Sequence, residues 1–345
     1  MPADISLPEP RAVTVGGTRP PILRSPARLA PLLLRHGALA VFAGVFLTFA
    51  LTAPYFLTVY NLGNIVGQSA IAGVLAIGLT LVMIGGGTNV VTGGIDLSLA
   101  ANMGLSAATF AALARAGYGD APAALAALGV GVTIGAVNAA AVVVARIVPL
   151  LATLAVMNIA AGIELVLTQN TVIPALTPLT GTLSSAGPLG IPILAFVLLG
   201  FAAVAGTVVH LTGTGLRLHA VGEFPEAARA AGLPVRAYVV GSFVAAGLCG
   251  GIAGLLSVAW LSGSTTGSGE MLLPVVVTAL LGVVFSRRLV PTIGGTLLAA
   301  LFVGVLLNGF QLLNISSVLV SGVQGILVLL VVSATTLLRK DDARQ

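Results

Sequence analysis

Ten long runs of apolar residues divide the chain, and short segments that hold most of its charged residues separate them. Lipid leaves α-helices and closed barrels as the only spanning structures, because every backbone polar group must find a partner within the protein. The runs are about 17–25 residues long and do not alternate between apolar and polar positions, which favours helices. The sequence therefore predicts an all-α integral membrane protein with about ten transmembrane helices. The predicted spans are 37–57, 63–85, 94–114, 121–144, 149–169, 190–211, 237–260, 271–286, 292–313 and 316–338.

The segment 85–98, GGGTNVVTGGIDLS, interrupts the apolar sequence with five glycines and with Thr, Asn and Asp. Non-helical backbone at membrane depth is tolerated only where protein buries it or where it lines a watery cavity, so we expect a broken or re-entrant segment. At the centre of a membrane helix Asp96 would cost about 2.5–3.5 kcal/mol, and less near an interface. Two interpretations stay open, because an intramembrane acid is a functional candidate and Asp96 could also cap the third helix.

Packing inside the apolar runs rests on small residues, which let membrane helices approach closely. Glycines four residues apart occur at 131/135, 247/251 and 250/254, and each pair fits either packing within the bundle or a contact between subunits. The single cysteine, Cys249, is interpreted as a small core residue. The eighth span is short and contains Pro274, which indicates a tilted, broken or re-entrant helix.

Composition and charge set the orientation. Of 345 residues, 57% are hydrophobic and 7% are charged, and the mean hydropathy is +1.12; a soluble domain has about 25% charged residues. With the amino terminus inside, 14 of the 15 basic residues fall on the inner side and only Arg115 falls outside, as the positive-inside rule requires. This predicts a disordered cytoplasmic tail at 1–36, a transmembrane domain at 37–338 and a cytoplasmic tail at 339–345.

One inner segment, 212–236, is longer than the other inner connections between spans. Pro225 followed by EAARAA predicts a short helix, because Pro suits the first turn and an acid there complements the helix dipole; a glycine then ends it. Such a helix could dock a cytoplasmic partner, and the plainer alternative is a capped surface loop. The residues predicted to couple to an ATPase are Glu226, Ala227, Ala228, Arg229 and Gly232.

Five stretches resemble the permease family of ribose-type ABC sugar importers. They are AIGLTLVMI (76–84), TGGIDLSLA (92–100), LATLAVMNIAAGI (151–163), HAVGEFPEAARAAGLPV (219–235) and IGGTLLAALFVGVLLNGFQLL (293–313). The resemblance implies a bacterial inner-membrane permease that works with a cytoplasmic ATP-binding subunit, a periplasmic solute-binding protein and a second permease copy or paralogue. Phe224 departs from the family's usual Asn, and GGGTNVV (85–91) resembles an insertion. Pentoses, hexoses, polyols, nucleosides and autoinducer-like sugars all stay open as solutes.

An ATP-driven importer needs a nucleotide-hydrolysing P-loop, and this chain lacks one. The P-loop requires Lys after a Gly-rich turn, and the one lysine is Lys340. We therefore expect no cofactor in this chain, with ATP and Mg²⁺ on the partner ATPase. The alternative is an ion-coupled secondary transporter, which would need several ionisable residues within the membrane, where only Asp96 and Glu164 are plausible. The three histidines lack metal-ligand spacing, and no nucleophile–base pair or nucleic-acid motif is found.

Polar side chains on the apolar spans are candidates for the solute path, since amides and carboxylates bind hydroxyl-rich solutes. The plainer alternative is hydrogen bonding between helices, worth about 0.6 kcal/mol each, and we assign Asn138 and Asn314 to it. The path candidates are Gln68, Asn89, Asp96, Ser98, Asn102, Asn158, Glu164, Asn308 and Gln311.

Overall fold

The computed structural model describes residues 30–86, 94–264, 266–316, 319, 322–323 and 325–326. Within this part the chain forms twelve α-helices and one two-residue ladder in which β1 (Ile173–Pro174) pairs antiparallel with β2 (Gly263–Ser264). The helices are α1 (Ala30–Thr52), α2 (Val59–Gly86), α3 (Leu99–Arg115), α4 (Asp120–Val143), α5 (Pro149–Thr168), α6 (Pro178–Ser184), α7 (Ile193–Leu211), α8 (Gly213–Glu223), α9 (Pro225–Ala230), α10 (Val235–Leu261), α11 (Leu272–Phe285) and α12 (Ile293–Leu312).

The all-α membrane architecture is confirmed, because in the described part each of the first nine predicted spans coincides with a helix. Seven of these helices are long and apolar enough to cross a membrane. The helix at the first span begins at Ala30, seven residues earlier than predicted. Most of the tenth predicted span, all of the predicted tail 339–345 and residues 1–29 lie outside the described residues.

The eighth predicted span is an unbroken helix, α11, of 14 residues. Pro274 lies in its first turn, where the missing N–H leaves no helical hydrogen bond unmade, so the proline does not break it. A 3₁₀ turn, Ser268–Met271, leads into α11. At 1.5 Å per residue α11 is about 21 Å long, less than the roughly 30 Å of hydrocarbon that a full span crosses.

Helices α2 and α10 form the centre of the bundle. Helix α2 packs against α7, α10, α11 and α12, while α10 also packs against α3 and α4. Leu75, Leu79, Phe243 and Cys249 lie in the buried core between them, so the prediction that the cysteine is a core residue agrees with its burial.

The glycine pairs pack helices within the bundle. A Cβ placed on Gly131 would lie 2.6 Å from the carbonyl oxygen of Gly247 and 2.7 Å from the backbone nitrogen of Gly251. The third pair lies against α3, since a Cβ on Gly254 would be 2.9 Å from the carbonyl oxygen of Met103. Backbones that approach this closely leave no room for any residue larger than glycine.

All but one of the arginines of the described chain gather at one end of the bundle. The start of α1 meets the end of α11, where Arg35 Nε donates to the Phe285 carbonyl at 3.2 Å. The end of α7 meets the start of α12, where the backbone N–H of Ile293 donates to His210 Nε2 at 3.2 Å. We call this the basic end; Arg115, in the last turn of α3, lies at the opposite end.

Candidate functional site

The backbone between α2 and α3 turns back into the bundle before α3 begins. Residues 94–98 are non-helical, and Gly94, Asp96 and Ser98 are buried. A Cβ at Gly94 would collide with the carbonyl of Val82, so this non-helical segment packs directly against the last turn of α2. The predicted re-entrant segment therefore agrees with the structure at 94–98, whereas Asn89 and the rest of 87–93 lie outside the described residues.

Asp96 is the centre of a buried polar cluster near the basic end. Its Oδ1 accepts hydrogen bonds from the Ser98 backbone N–H at 2.9 Å and from Ser98 Oγ at 2.6 Å. Asn138 Nδ2, on α4, donates to Ser98 Oγ at 2.7 Å and approaches Asp96 Oδ1 at 3.3 Å. Thr153, on α5, accepts from the Leu97 N–H at 3.1 Å. The cluster therefore ties the re-entrant coil to two further helices.

The hydrogen bonds of Asp96 bear on both interpretations of this residue. It accepts from the N–H of Ser98, the residue directly before α3, so it stabilises the entry to the helix. No basic side chain in the described residues forms an ion pair with it. Burying a carboxylate costs free energy unless it is paired or hydrogen-bonded, so the donors Ser98 and Asn138 are needed to hold Asp96 in this position.

Asn138 is the partner that the sequence analysis did not assign to the site. It was interpreted as an interhelical hydrogen-bonding residue, and it does make such bonds, but they go to Asp96 and Ser98. Its spacing gives a signal, because Gly131, Gly135 and Asn138 repeat at helical intervals along the buried face of α4.

Asn102 holds three helices together one turn into α3. Its Nδ2 donates to the carbonyls of Gly131 on α4 and Gly247 on α10, at 3.2 Å each. Its Oδ1 accepts from Ser106 Oγ at 3.2 Å. These bonds leave its amide fully engaged in helix packing.

Two buried asparagines bond to each other toward the end of the bundle opposite the basic end. Asn61 Nδ2 donates to Asn308 Oδ1 at 2.9 Å, and Asn308 Nδ2 donates back to Asn61 Oδ1 at 3.0 Å. Asn61 also donates to the Phe56 carbonyl at 3.0 Å. Both side chains are buried, and together they fasten the start of α2 to the end of α12.

The remaining path candidates do not converge with these. Gln68 is half-buried on α2, and Glu164 is buried near the end of α5 farther from the basic end. Asn158 and Gln311 are exposed on the outside of the bundle. The structure thus brings Asp96 and Ser98 together and distributes the other described candidates over separate helix contacts and surfaces.

The predicted coupling segment contains two helices, and α8 was not predicted. Thr212 begins α8 by accepting a hydrogen bond from the Gly215 N–H. Helix α9 follows, with Pro225 in its first turn, and its last helical residue is Ala230. Gly232, two residues further on, has a φ of 82°, in the left-handed region, and turns the chain away from the helix. The Leu233 N–H closes this end on the Ala228 carbonyl at 3.0 Å.

Most of α9 is exposed, and it carries one pair of opposite charges. Glu226, Ala227, Arg229 and Gly232 are exposed, and Arg229 pairs with Glu226 at 2.5 Å. Ala228 is 5% exposed, because it faces the protein and anchors α9 to it. It therefore does not belong to the exposed surface of the predicted coupling residues.

Comparison of the sequence with known proteins identifies the family of the chain. Residues 61–332 match the family described as branched-chain amino acid transport system / permease component. The chain belongs to this permease family. As a member, it is a multi-pass membrane subunit of a transporter and is not an enzyme by itself.

Relatives of the permease match it along most of its length. The ribose import permease protein RbsC of Escherichia coli (strain K12) is 32% identical over 289 residues, which cover 81% of this chain and 87% of the relative. RbsC of Bacillus subtilis (strain 168) is 30% identical over 306 residues, 85% and 91%. The galactofuranose transporter permease protein YtfT of E. coli (strain K12) is 30% identical over 256 residues, 72% of each. No solved structure matches the permease.

Proposed function

We propose that this permease forms the membrane path of an ATP-driven bacterial importer for a sugar or sugar-like solute. The observation that carries the proposal is the identity of 30–32% to ribose permeases from two bacteria over more than four-fifths of the chain. The galactofuranose and L-arabinose permeases among its relatives point to the same solute class.

A separate ATP-binding subunit supplies the energy and docks on α9. Helix α9 has about one and a half turns, too short to be stable alone in water, and only Ala228 of its residues is buried. A partner surface that receives Glu226, Ala227 and Arg229 would complete its packing. The basic end then faces the cytoplasm, together with both termini, and the solute-binding protein delivers its cargo at the opposite end.

The solute path runs between two permeases, which are either two copies or a copy and a paralogue. Asn158 and Gln311 are exposed on the outside of this chain, where a second subunit could cover either of them. Asp96 and Ser98 act at the basic end of that path, through the conformation of the re-entrant coil.

The test of the coupling surface reconstitutes the permease with its ATPase and binding protein in vesicles. Leucine at Gly232 would adopt a left-handed backbone at a cost of about 1–2 kcal/mol, so Gly232→Leu should lose solute-stimulated ATP hydrolysis and uptake. Gly232→Asn is the matched control, because Asn tolerates this conformation. Wild-type assembly and stimulation in Gly232→Leu would rule out docking through α9.

Two further measurements address the energy source and Asp96. Uptake that persists without ATP and stops when ion gradients are dissipated would show an ion-coupled transporter instead.

Asp96→Asn keeps the capping ability but removes the charge, and we expect it to lose uptake at normal membrane abundance. Normal uptake by this variant would limit Asp96 to a structural role.

A further inference from the structure

A cavity of about 660 Å³ opens between α2, α7, α8 and α10 near the basic end. Its lining contains no charged residue, and Thr214, Tyr238 and Ser242 provide its hydroxyl groups. Along α10 the lining extends from Ala237 to Cys249, which is about 18 Å at 1.5 Å per residue. The cavity is therefore long, apolar and open at one side of the bundle.

The lining decides what kind of molecule fits. A sugar needs several hydrogen-bonding partners when it leaves water, and this lining offers very few. An acyl chain needs none, and one leaflet's hydrocarbon is about 15 Å deep, half of the roughly 30 Å core. We propose that the cavity binds one acyl chain of an anionic phospholipid, which enters from the leaflet at the basic end.

Two exposed arginines provide the charge for the head group. Arg217 lies on α8 between the lining residues Thr214 and Leu218, and Arg236 lies between the lining residues Pro234 and Ala237. Basic pockets between transmembrane helices bind anionic lipid head groups in this way. A bound lipid would separate α7 and α8 from α10, directly before the segment that leads into α9.

Gly241 offers a way to fill the cavity without disturbing the fold. It lines the cavity, and a Cβ placed on it meets no atom within 4 Å. Gly44 on α1 is also exposed, a Cβ placed on it meets no atom within 4 Å, and it does not line this cavity. Gly241→Leu and Gly44→Leu therefore make the same change on two exposed helix faces, inside and outside the proposed site.

The experiment purifies the whole transporter in mild detergent and titrates it with phosphatidylglycerol or with phosphatidylcholine of the same chains. The wild type and Gly44→Leu should be thermally stabilised in a saturable manner by phosphatidylglycerol, as one-site binding predicts. Gly241→Leu should bind about tenfold more weakly, the loss expected when roughly two methylenes of the chain are displaced. Gly241→Ala, with a smaller side chain, should fall between.

The head-group assignment has its own control pair. Arg217→Gln should reduce the preference for phosphatidylglycerol over phosphatidylcholine, whereas Arg287→Gln, an exposed arginine of the α11–α12 connection, should not. Unchanged lipid binding by Gly241→Leu would overturn the proposal. Equal binding of both lipids to the wild type would overturn the anionic assignment. If the ATPase stabilises the permease and neither lipid changes the melting temperature, the cavity is a protein contact and not a lipid site.

Discussion

Replacing Gly131 with alanine should separate two helices of the central bundle. The added Cβ would lie 2.6 Å from the carbonyl oxygen of Gly247 and 2.7 Å from the nitrogen of Gly251. Both atoms belong to the backbone of α10, so no side chain can rotate away to make room. Helices α4 and α10 must move apart, and the packing on both sides of the contact changes with them.

Two contributions determine how far Gly131→Ala lowers the free energy of unfolding. Overpacking of a close-packed contact costs about 1–3 kcal/mol. Asn102 donates to the carbonyls of Gly131 and Gly247 at 3.2 Å each, and separation of the helices lengthens both bonds. Hydrogen bonds between membrane helices are worth about 0.6 kcal/mol each, so roughly 1 kcal/mol is added. We expect Gly131→Ala to lower the free energy of unfolding by about 2–4 kcal/mol.

Gly129 provides the control on the same helix. A Cβ there meets no atom within 4 Å, so Gly129→Ala should not lower the free energy of unfolding and should raise it by up to about 1 kcal/mol, the gain in helix propensity from Gly to Ala. Both variants are compared by titrating the purified permease in mixed micelles with sodium dodecyl sulfate and following the loss of tertiary structure. Equal effects at the two positions would refute the argument from close backbone contact.

Two further predictions concern the polar pair and the orientation. A double-mutant cycle with Asn61→Ala and Asn308→Ala should give a coupling energy of about 0.6–1.7 kcal/mol, and strictly additive effects would mean that the two amides do not stabilise each other. The orientation is tested in a Cys249→Ala background with an impermeant thiol reagent added to intact cells. It should label Tyr118→Cys and leave Thr214→Cys unlabelled, since both positions are exposed in the structure but on opposite sides of the membrane. The reverse labelling pattern would mean that the topology is inverted.

The spans could be predicted because apolar length alone determines which segments enter lipid. Helix α8 was missed for the complementary reason. It begins with GTG and contains Arg217 and His219, so neither helix propensity nor hydropathy indicates it. Tertiary contacts complete it: Leu218 packs against Gly85 at the end of α2, and Val221 is buried.

The candidate site was only partly predictable. The motif around Asp96 is local in sequence, so it could be found from the unusual run of glycines and polar residues. Asn138 is 42 residues away, and nothing local links it to that motif. In a helix that is apolar on all sides, the pattern does not show which face is buried, so Asn158 and Asn102 could not be distinguished before the structure placed one outside and the other between three helices.

Helix α10 makes a close backbone contact and borders an open cavity within six residues. At Gly247 its backbone touches that of α4, and Asn102 joins the two. At Gly241 it borders an open cavity, across which lie α7 and α8. If α9 is the docking site, we expect motion there to change the distance between α10 and the pair α7 and α8 more readily than the distance between α10 and α4. A side chain added at Gly247 should lower the free energy of unfolding, because that contact has no free volume. A side chain added at Gly241 should not lower it, because there it enters open space.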